Sequence, residues 1–512
     1  MEAAATPTTF TSLSDESTLE YVQKEVPLES QTPDLNENDA VVESMITKTV
    51  LPKYVIIQSN QNNTYLHLEN DNPFVTNALR YAGEYSFDLD TRFEVVPATT
   101  GNGQIHVRSM KNNKYWANFG TSYNWITAMA DKPEENQSDK NCTLFELLSK
   151  SQSKLMIRHV NTSKYVRFYM NSGQPSDGLL NLSSDRYDED VCTFIDWESV
   201  VMLPELIRIK GVNSGNHLKA FADGFMDFSR QADNSSLFDY VVSPSRDGGI
   251  CLKSAYFGTY WTDVDDSTWV LLKGDSPTVH DTNTVFLPMI TSGNRIIIKS
   301  LKSGNFCNRH SADGKNDCLA TLNNYPDDWS YMDIEEPVFS RKINNVRYNL
   351  TDARIYGEKS IALISDDSSN KTKSPLTSEL NLKTTVTNTN NWSTSVSLKL
   401  GVKMTLTFGV PLIKSGSGEF EISGEETRSS QWGETETESI EVGSVRTMTL
   451  QPMTRLKTSL LATRVSYDIP FSYTQHDILM NGSKKVTEKI DGIFTGHNGY
   501  NYRYEVVQLP LE

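Results

Sequence analysis

Between residues 50 and 335 one pattern recurs six times, and it limits the fold more than any other feature of the 512-residue chain. In "YVIIQSNQNNTYL", "IHVRSMKNNKYW" and "LMIRHVNTSKYV", Gln58, Arg108 and Arg158 stand seven residues before Tyr65, Tyr115 and Tyr165. In "IRIKGVNSGNHL", "ICLKSAYFGTYW" and "IIIKSLKSGNFC", Lys210, Lys253 and Lys299 stand seven before His217, Tyr260 and Phe306. Two alternating apolar runs around an Asn, Ser or Gly turn predict a β-hairpin. Such a hairpin cannot bury its apolar face alone, so the copies must pack around an axis.

Each copy ends on an aromatic residue: Phe93, Phe145, Phe194, Phe238, Phe286 and Tyr331. The copies recur at intervals of 50, 50, 52, 43 and 46 residues. Six copies fit one six-bladed ring or two threefold barrels. The junction "DWESVVMLPEL" with Pro204 separates the third copy from the fourth, and the copies shorten after it. We therefore expect an all-β chain with two tandem β-trefoils, at 50–200 and 201–338, followed by a domain at 339–512. The aromatic at the seventh position is expected to plug the core, and His217 in that slot to be a half-buried histidine with its hydrogen bonds satisfied rather than a metal ligand.

The net charge of −17 disfavours nucleic acid as a partner and gives no electrostatic pull toward anionic lipid. Ten acids against the single base Lys24 in the first 45 residues predict a disordered acidic leader, taken as 1–49. The start "MEAAATPTTF" has no basic or apolar signal region, and no apolar run reaches the roughly 20 residues of a membrane helix. With five scattered cysteines, a cytoplasmic or nucleocytoplasmic location is expected.

No HExxH, Cys/His nucleophile or metal-spaced cluster occurs, so the chain is expected to be neither an enzyme nor a user of a metal or cofactor. One aromatic cluster lies outside the repeat positions, in "FGTSYNWITA". Aromatic faces stack on the C–H side of a pyranose while amides and hydroxyls fix its orientation. Trp269 in "DDSTWVLLKG" occupies the counterpart of Trp125. Both tryptophans also suit a strand core.

The stretches "NNKYW", "NWITA", "CTLFELL", "KSAYFGTYW" and "STWVLLKGDSP" resemble the amaranthin family of plant lectins over roughly 50–335. The resemblance implies binding of N-acetylgalactosamine and the Gal–GalNAc T-antigen disaccharide by head-to-tail dimers. It carries the binding loop onto Ser122, Tyr123, Asn124 and Trp125. The order of polar and aromatic residues before Trp125 departs from the family's pattern. Trp269 joins these as a candidate.

From about 339 the composition turns to Ser, Thr and Asn, which predicts long, half-exposed antiparallel strands. In "VSLKLGVKMTLTFGVPL", residues 396–412, every even position is apolar and every odd one is polar, glycine or proline. As one strand it would span about 56 Å. The sequel "IKSGSGEFEISGEETRSS" reads as a Gly/Ser turn and a return leg, making a hairpin with an apolar tip: Leu406, Phe408, Val410, Leu412, Ile413, Phe420 and Ile422. In "GETETESIEV", Glu434, Glu436 and Glu438 face one side and Thr435, Thr437 and Ser439 the other, so this segment is expected to face water. These stretches, with "VRTMTLQPMTRLKTSLLATRVSYDIPFSYT" and "DGIFTGHNGYNYRYEVV", resemble the aerolysin-like β-pore-forming module over 345–510. That family's middle hairpin leaves the soluble sheet and joins its neighbours in an oligomeric barrel. The expected function is a lectin that oligomerises on glycosylated membranes and inserts the hairpin. The alternatives are a cytosolic stress or defence lectin whose third domain only oligomerises, and a glycan-processing enzyme.

Overall fold

A computed structural model describes residues 48–511, apart from 85, 87, 121–122, 150–153, 185–189, 246–247, 275–276, 278–280, 399 and 414–418, together with 19–22 and 24–25. Among the described residues the fold is all-β, with 3-10 turns and no α-helix. Within the acidic leader, Leu19–Val22 pairs antiparallel with Lys48–Leu51, and Lys24–Glu25 runs parallel to part of Phe145–Ser149. These segments are strands where composition predicts no structure, because open strand edges recruit extended chain regardless of its charge. The chain divides near residue 198 into two compact units.

In the first unit the strands Tyr54–Ser59, Arg92–Pro97, Ile105–Ser109, Phe145–Ser149, Lys154–His159 and Cys192–Asp196 pair in that order. Cys192–Asp196 then pairs back onto Tyr54–Ser59 and closes a six-stranded ring. Tyr65–Glu69 with Ala78–Gly83, Tyr115–Asn118 with Ile126–Ala130, and Lys164–Phe168 with Leu180–Ser183 add one hairpin per copy. The second unit begins with the same plan. Its ring runs from Leu206–Gly211 through Tyr240–Pro244, Ile250–Ser254, Phe286–Thr291 and Arg295–Ser300, and Met332–Glu335 closes it. The third copy thus closes on the first and the sixth on the fourth. A six-copy ring would have closed the sixth on the first.

The seven-residue spacing has a direct cause. Gln58, Arg108, Arg158, Lys210, Lys253 and Lys299 are the cross-strand partners of Tyr65, Tyr115, Tyr165, His217, Tyr260 and Phe306. Five residues after each polar position the backbone is left-handed: Asn63, Asn113, Ser163, Gly215, Gly258 and Gly304 all have φ between 54° and 74°. Asn and Gly tolerate that region best, which explains the turn composition. The Lys253 and Lys299 ammonium groups lie 5.5 and 5.6 Å from the Tyr260 and Phe306 ring centroids. Arg108 is fully buried and donates to Glu94 at 2.7 Å. His217 is buried with one ring nitrogen 3.0 Å from Glu335 and the other accepting the Ala232 N–H.

Each ring is filled by one tryptophan from its middle copy. Trp116 meets Phe93 and Phe145 edge-on at 5.4 and 5.9 Å, and Trp261 meets Tyr240 and Phe286 edge-on at 5.6 Å each. T-shaped contacts suit the ring quadrupoles and add about 0.5–1.5 kcal/mol beyond burial.

The rest of the second unit is a sheet built on two long strands, Thr454–Leu479 of 26 residues and Lys484–Pro510 of 27. Val338–Tyr348 and Arg354–Asn370 pair with the first, and Thr384–Ser393 pairs with the second and carries Thr435–Val442 at the edge. Tyr467 and Phe471 lie across their partners Gly496 and Gly492, where a Cβ would come within 2.4 Å of either ring. Only glycine fits there.

The stretch 396–412 is not the single 17-residue strand its alternation predicts. Among its described residues, strand is confined to Met404–Phe408 and Pro411–Ile413. Gly401, at φ 69°, and Pro411, which has no N–H to give to a ladder, interrupt it. Of the even-numbered side chains, Leu398, Met404, Leu406, Phe408 and Val410 are buried, and Val396, Leu400, Val402 and Leu412 are half-buried.

The turn geometry is testable at Gly304, where a new Cβ would have only Lys299 Cε at 4.0 Å. Gly304→Ala therefore carries backbone strain without a clash and lowers stability by about 1 kcal/mol, seen as a lower urea midpoint.

Candidate functional site

Of the proposed glycan loop, Ser122 lies outside the described residues. Tyr123 is 55% exposed, and its ring stacks on Trp125 at 5.3 Å with 19° between the planes. Trp125 is only 4% exposed, packed with Val75, Ala78 and Leu179. Tyr169 meets Trp125 edge-on at 5.0 Å and Tyr123 at 6.2 Å. Asn124 sits at φ 48°, and its carbonyl accepts the Leu182 N–H at 3.0 Å. A sugar needs an open aromatic face, so Trp125 is the floor of the site and Tyr123 its platform. Tyr169 and Asn181, which bridges to Trp125, come from the third copy and were missed in the sequence. The Asn181 Oδ1 is buried with no hydrogen-bond partner among the described residues. Nothing in "KYVRFYM" marks Tyr169 until the hairpins are assembled.

Trp269 does occupy the place of Trp125, since it bridges to Ala320 as Trp125 does to Asn181. At 8% exposure it too lacks an open face, packed with Cys318 and Ala320. His310 lies 5.5 Å from its ring and Phe225 6.1 Å. The Lys315 ammonium covers Phe225 at 3.8 Å and pairs with Asp223 at 3.1 Å. The rim of this second site is therefore charged, unlike the aromatic rim around Tyr123.

In the long-stranded sheet of the second unit, Leu406, Phe408, Val410 and Ile413 are buried against Trp392, Val465, Tyr467 and Phe494. Phe408 lies 4.4 Å from Trp392, and Phe420, half-buried, lies 5.1 Å from Tyr467. The Tyr467 hydroxyl donates to the Pro411 carbonyl at 2.8 Å, and the Asn498 amide donates to the Ile413 carbonyl at 2.9 Å. Leu412 is half-buried. Ile422 does not join the apolar face: it is 45% exposed, with its Cγ2 lying 2.5 Å from where a Gly409 Cβ would stand. The turn 414–418 lies outside the described residues.

The hairpin is attached lightly. Met404–Phe408 joins the sheet through three parallel pairs, Arg341 to Ile343, and its other side carries only Glu426–Ser430. That return leg is largely exposed, with Arg428 bonded to Glu426 and Glu436. In register, Glu426 stands opposite Phe408 and Arg428 opposite Leu406. The segment expected to face water does so: Thr435–Val442 has no buried residue.

Stability separates floor from platform. Trp125→Ala is expected to cost about 3 kcal/mol of unfolding free energy, and Tyr123→Ala less than about 0.5 kcal/mol, both read from denaturant midpoints.

The family model described as Agglutinin domain matches residues 49–196. Among curated proteins, no sequence matches this chain. Among solved structures, the chain is similar to a lamprey immune protein at 11% identity and a TM-score of 0.28, over 70% of this chain and 87% of that one. It is similar to a mosquitocidal holotoxin at 8% identity and a TM-score of 0.28, over 59% and 36% of the two chains. It is also similar to the parasporin-2 toxin of Bacillus thuringiensis, which recognizes cancer cells, at 19% identity and a TM-score of 0.22, over 33% and 74%. Residues 49–196 thus carry an agglutinin-type domain.

Proposed function

We propose that the protein is a non-enzymatic lectin of two β-trefoils, specific for GalNAc-containing glycans, whose third domain is an aerolysin-like module. In this reading the lectin units gather chains on a glycosylated surface in defence, and the raised local concentration promotes a ring of copies. Each copy then contributes the hairpin around Met404–Ile413. A lone hairpin in lipid would leave backbone groups unpaired, so several must close a barrel.

The observation that carries the reading is the hairpin's combination of a buried apolar face with a weak tether. Leu406, Phe408, Val410 and Ile413 are buried, and burial at about 1.5–3 kcal/mol each opposes release by roughly 6–12 kcal/mol. Only another apolar surface offsets that. The span Met404 to Ile413 is ten residues, within the roughly 9–11 that a tilted strand needs to cross a bilayer. The agglutinin-type domain and the exposed Tyr123 ring support the glycan half of the reading.

A second reading, a cytosolic lectin whose third domain only oligomerises, is favoured by Glu426 and Arg428. They stand opposite Phe408 and Leu406 and interrupt any apolar face on the return leg. The test is dye release from neutral vesicles bearing GalNAc or T-antigen headgroups, with free sugar as competitor. Release abolished by sugar, and reduced at least about tenfold by Tyr123→Ala, is the expected result. Binding without release at any density selects the second reading.

A further inference from the structure

Residues 200–206 open the second unit and touch the root of the hairpin. The Ser397 N–H donates to the Met202 carbonyl, and the Met202 N–H donates to the Ser397 Oγ, both at 2.9 Å. The same hydroxyl donates to the Val200 carbonyl at 3.4 Å. Three residues beyond Met202, Glu205 accepts from the Lys485 Nζ at 2.6 Å and from Lys489, both on Lys484–Pro510. Burial alone would raise the Glu205 carboxyl, but hydrogen bonds from the two ammonium groups outweigh it and hold it down at about 2.

These contacts rim a cleft of about 480 Å³ whose apolar lining includes Leu206, Val396, Leu398 and Trp432. Its charges are already engaged. Arg341 is bonded to Glu336 and Asp477, and Asp491 accepts from the Ser395 Oγ at 2.6 Å and the Tyr473 hydroxyl at 3.1 Å. With its charges satisfied internally, the cleft is a joint and not a ligand pocket. Its three sides are Pro204 to Leu206, the long sheet, and the two roots of the hairpin, which contribute Val396 and Leu398 on one side and Gln431 to Glu434 on the other.

We infer that residues 200–206, the start of the second sugar-binding unit, clamp the root of the hairpin and must move before the hairpin can leave the sheet. This rests on the pore-forming reading and gives it a control point. Surface attachment releases the hairpin only to the extent that it favours the unclamped state over the clamped one. A glycan that fills both states equally leaves the clamp closed.

A reversible cross-link tests this. The five native cysteines are buried and free, so Met202→Cys with Ser397→Cys supplies the accessible thiol pair. Oxidised, the double variant is expected to bind glycan vesicles normally and release no dye, with release restored by reductant. Equal release from the oxidised and reduced forms overturns the clamp. If the unmodified protein releases nothing, the pore reading falls, and amide hydrogen exchange still decides the clamp. Loss of the clamp contacts in Ser397→Ala with Glu205→Gln should speed exchange across 394–402 by about three- to tenfold. Unchanged exchange there overturns it.

Discussion

A two-stranded hairpin has one apolar face and nothing of its own to bury it against. Every level of this structure answers that constraint. In the two six-stranded rings the answer is permanent: three hairpin copies close on one another, and Trp116 or Trp261 packs in the space between them. Around Met404–Ile413 the answer is provisional. The face is buried against Tyr467, Phe494 and Trp392, yet the strand is tied to the sheet by three parallel pairs and an exposed return leg.

The difference lies in closure. A ring has no edge to peel from, whereas Met404–Phe408 and Glu426–Ser430 form the edge of an open sheet. The sheet keeps its own aromatic floor without the hairpin, since Tyr467 and Phe471 lie across Gly496 and Gly492 on the neighbouring strand. The hairpin is held by its buried face and, at its root, by the contacts of Ser397 with Met202 and of Ser395 with Asp491.

The candidate site around Tyr123 follows a related logic. Tyr123 is held out by a stack on Trp125, and Trp125 is fixed by a bridge to Asn181 and the edge of Tyr169. The second ring repeats the bridge at Trp269 but surrounds it with His310, Lys315 and Asp223. Equivalent positions in the two rings thus present different chemistry to solvent, aromatic in one and charged in the other.

The sequence by itself determined the repeat, its turns and its register. The seven-residue spacing is the cross-strand pair, and the Asn, Ser or Gly two residues before the aromatic is the left-handed turn residue, both local consequences of hairpin geometry. It also determined which side chains of 404–408 face inward, because a strand alternates whatever it packs on, whereas beyond Gly409 the parity shifts and Pro411 and Ile413 are buried with Leu412 half-buried. Only the tertiary structure decided which copies close on which, that the described residues of 396–403 are not strand, and that Trp125 is buried while Tyr123 is exposed. It alone brought Tyr169 to the site and residues 200–206 to Ser397. Those outcomes depend on partners about 45 to 195 residues away, and period-two patterning states that a face is buried without stating against what.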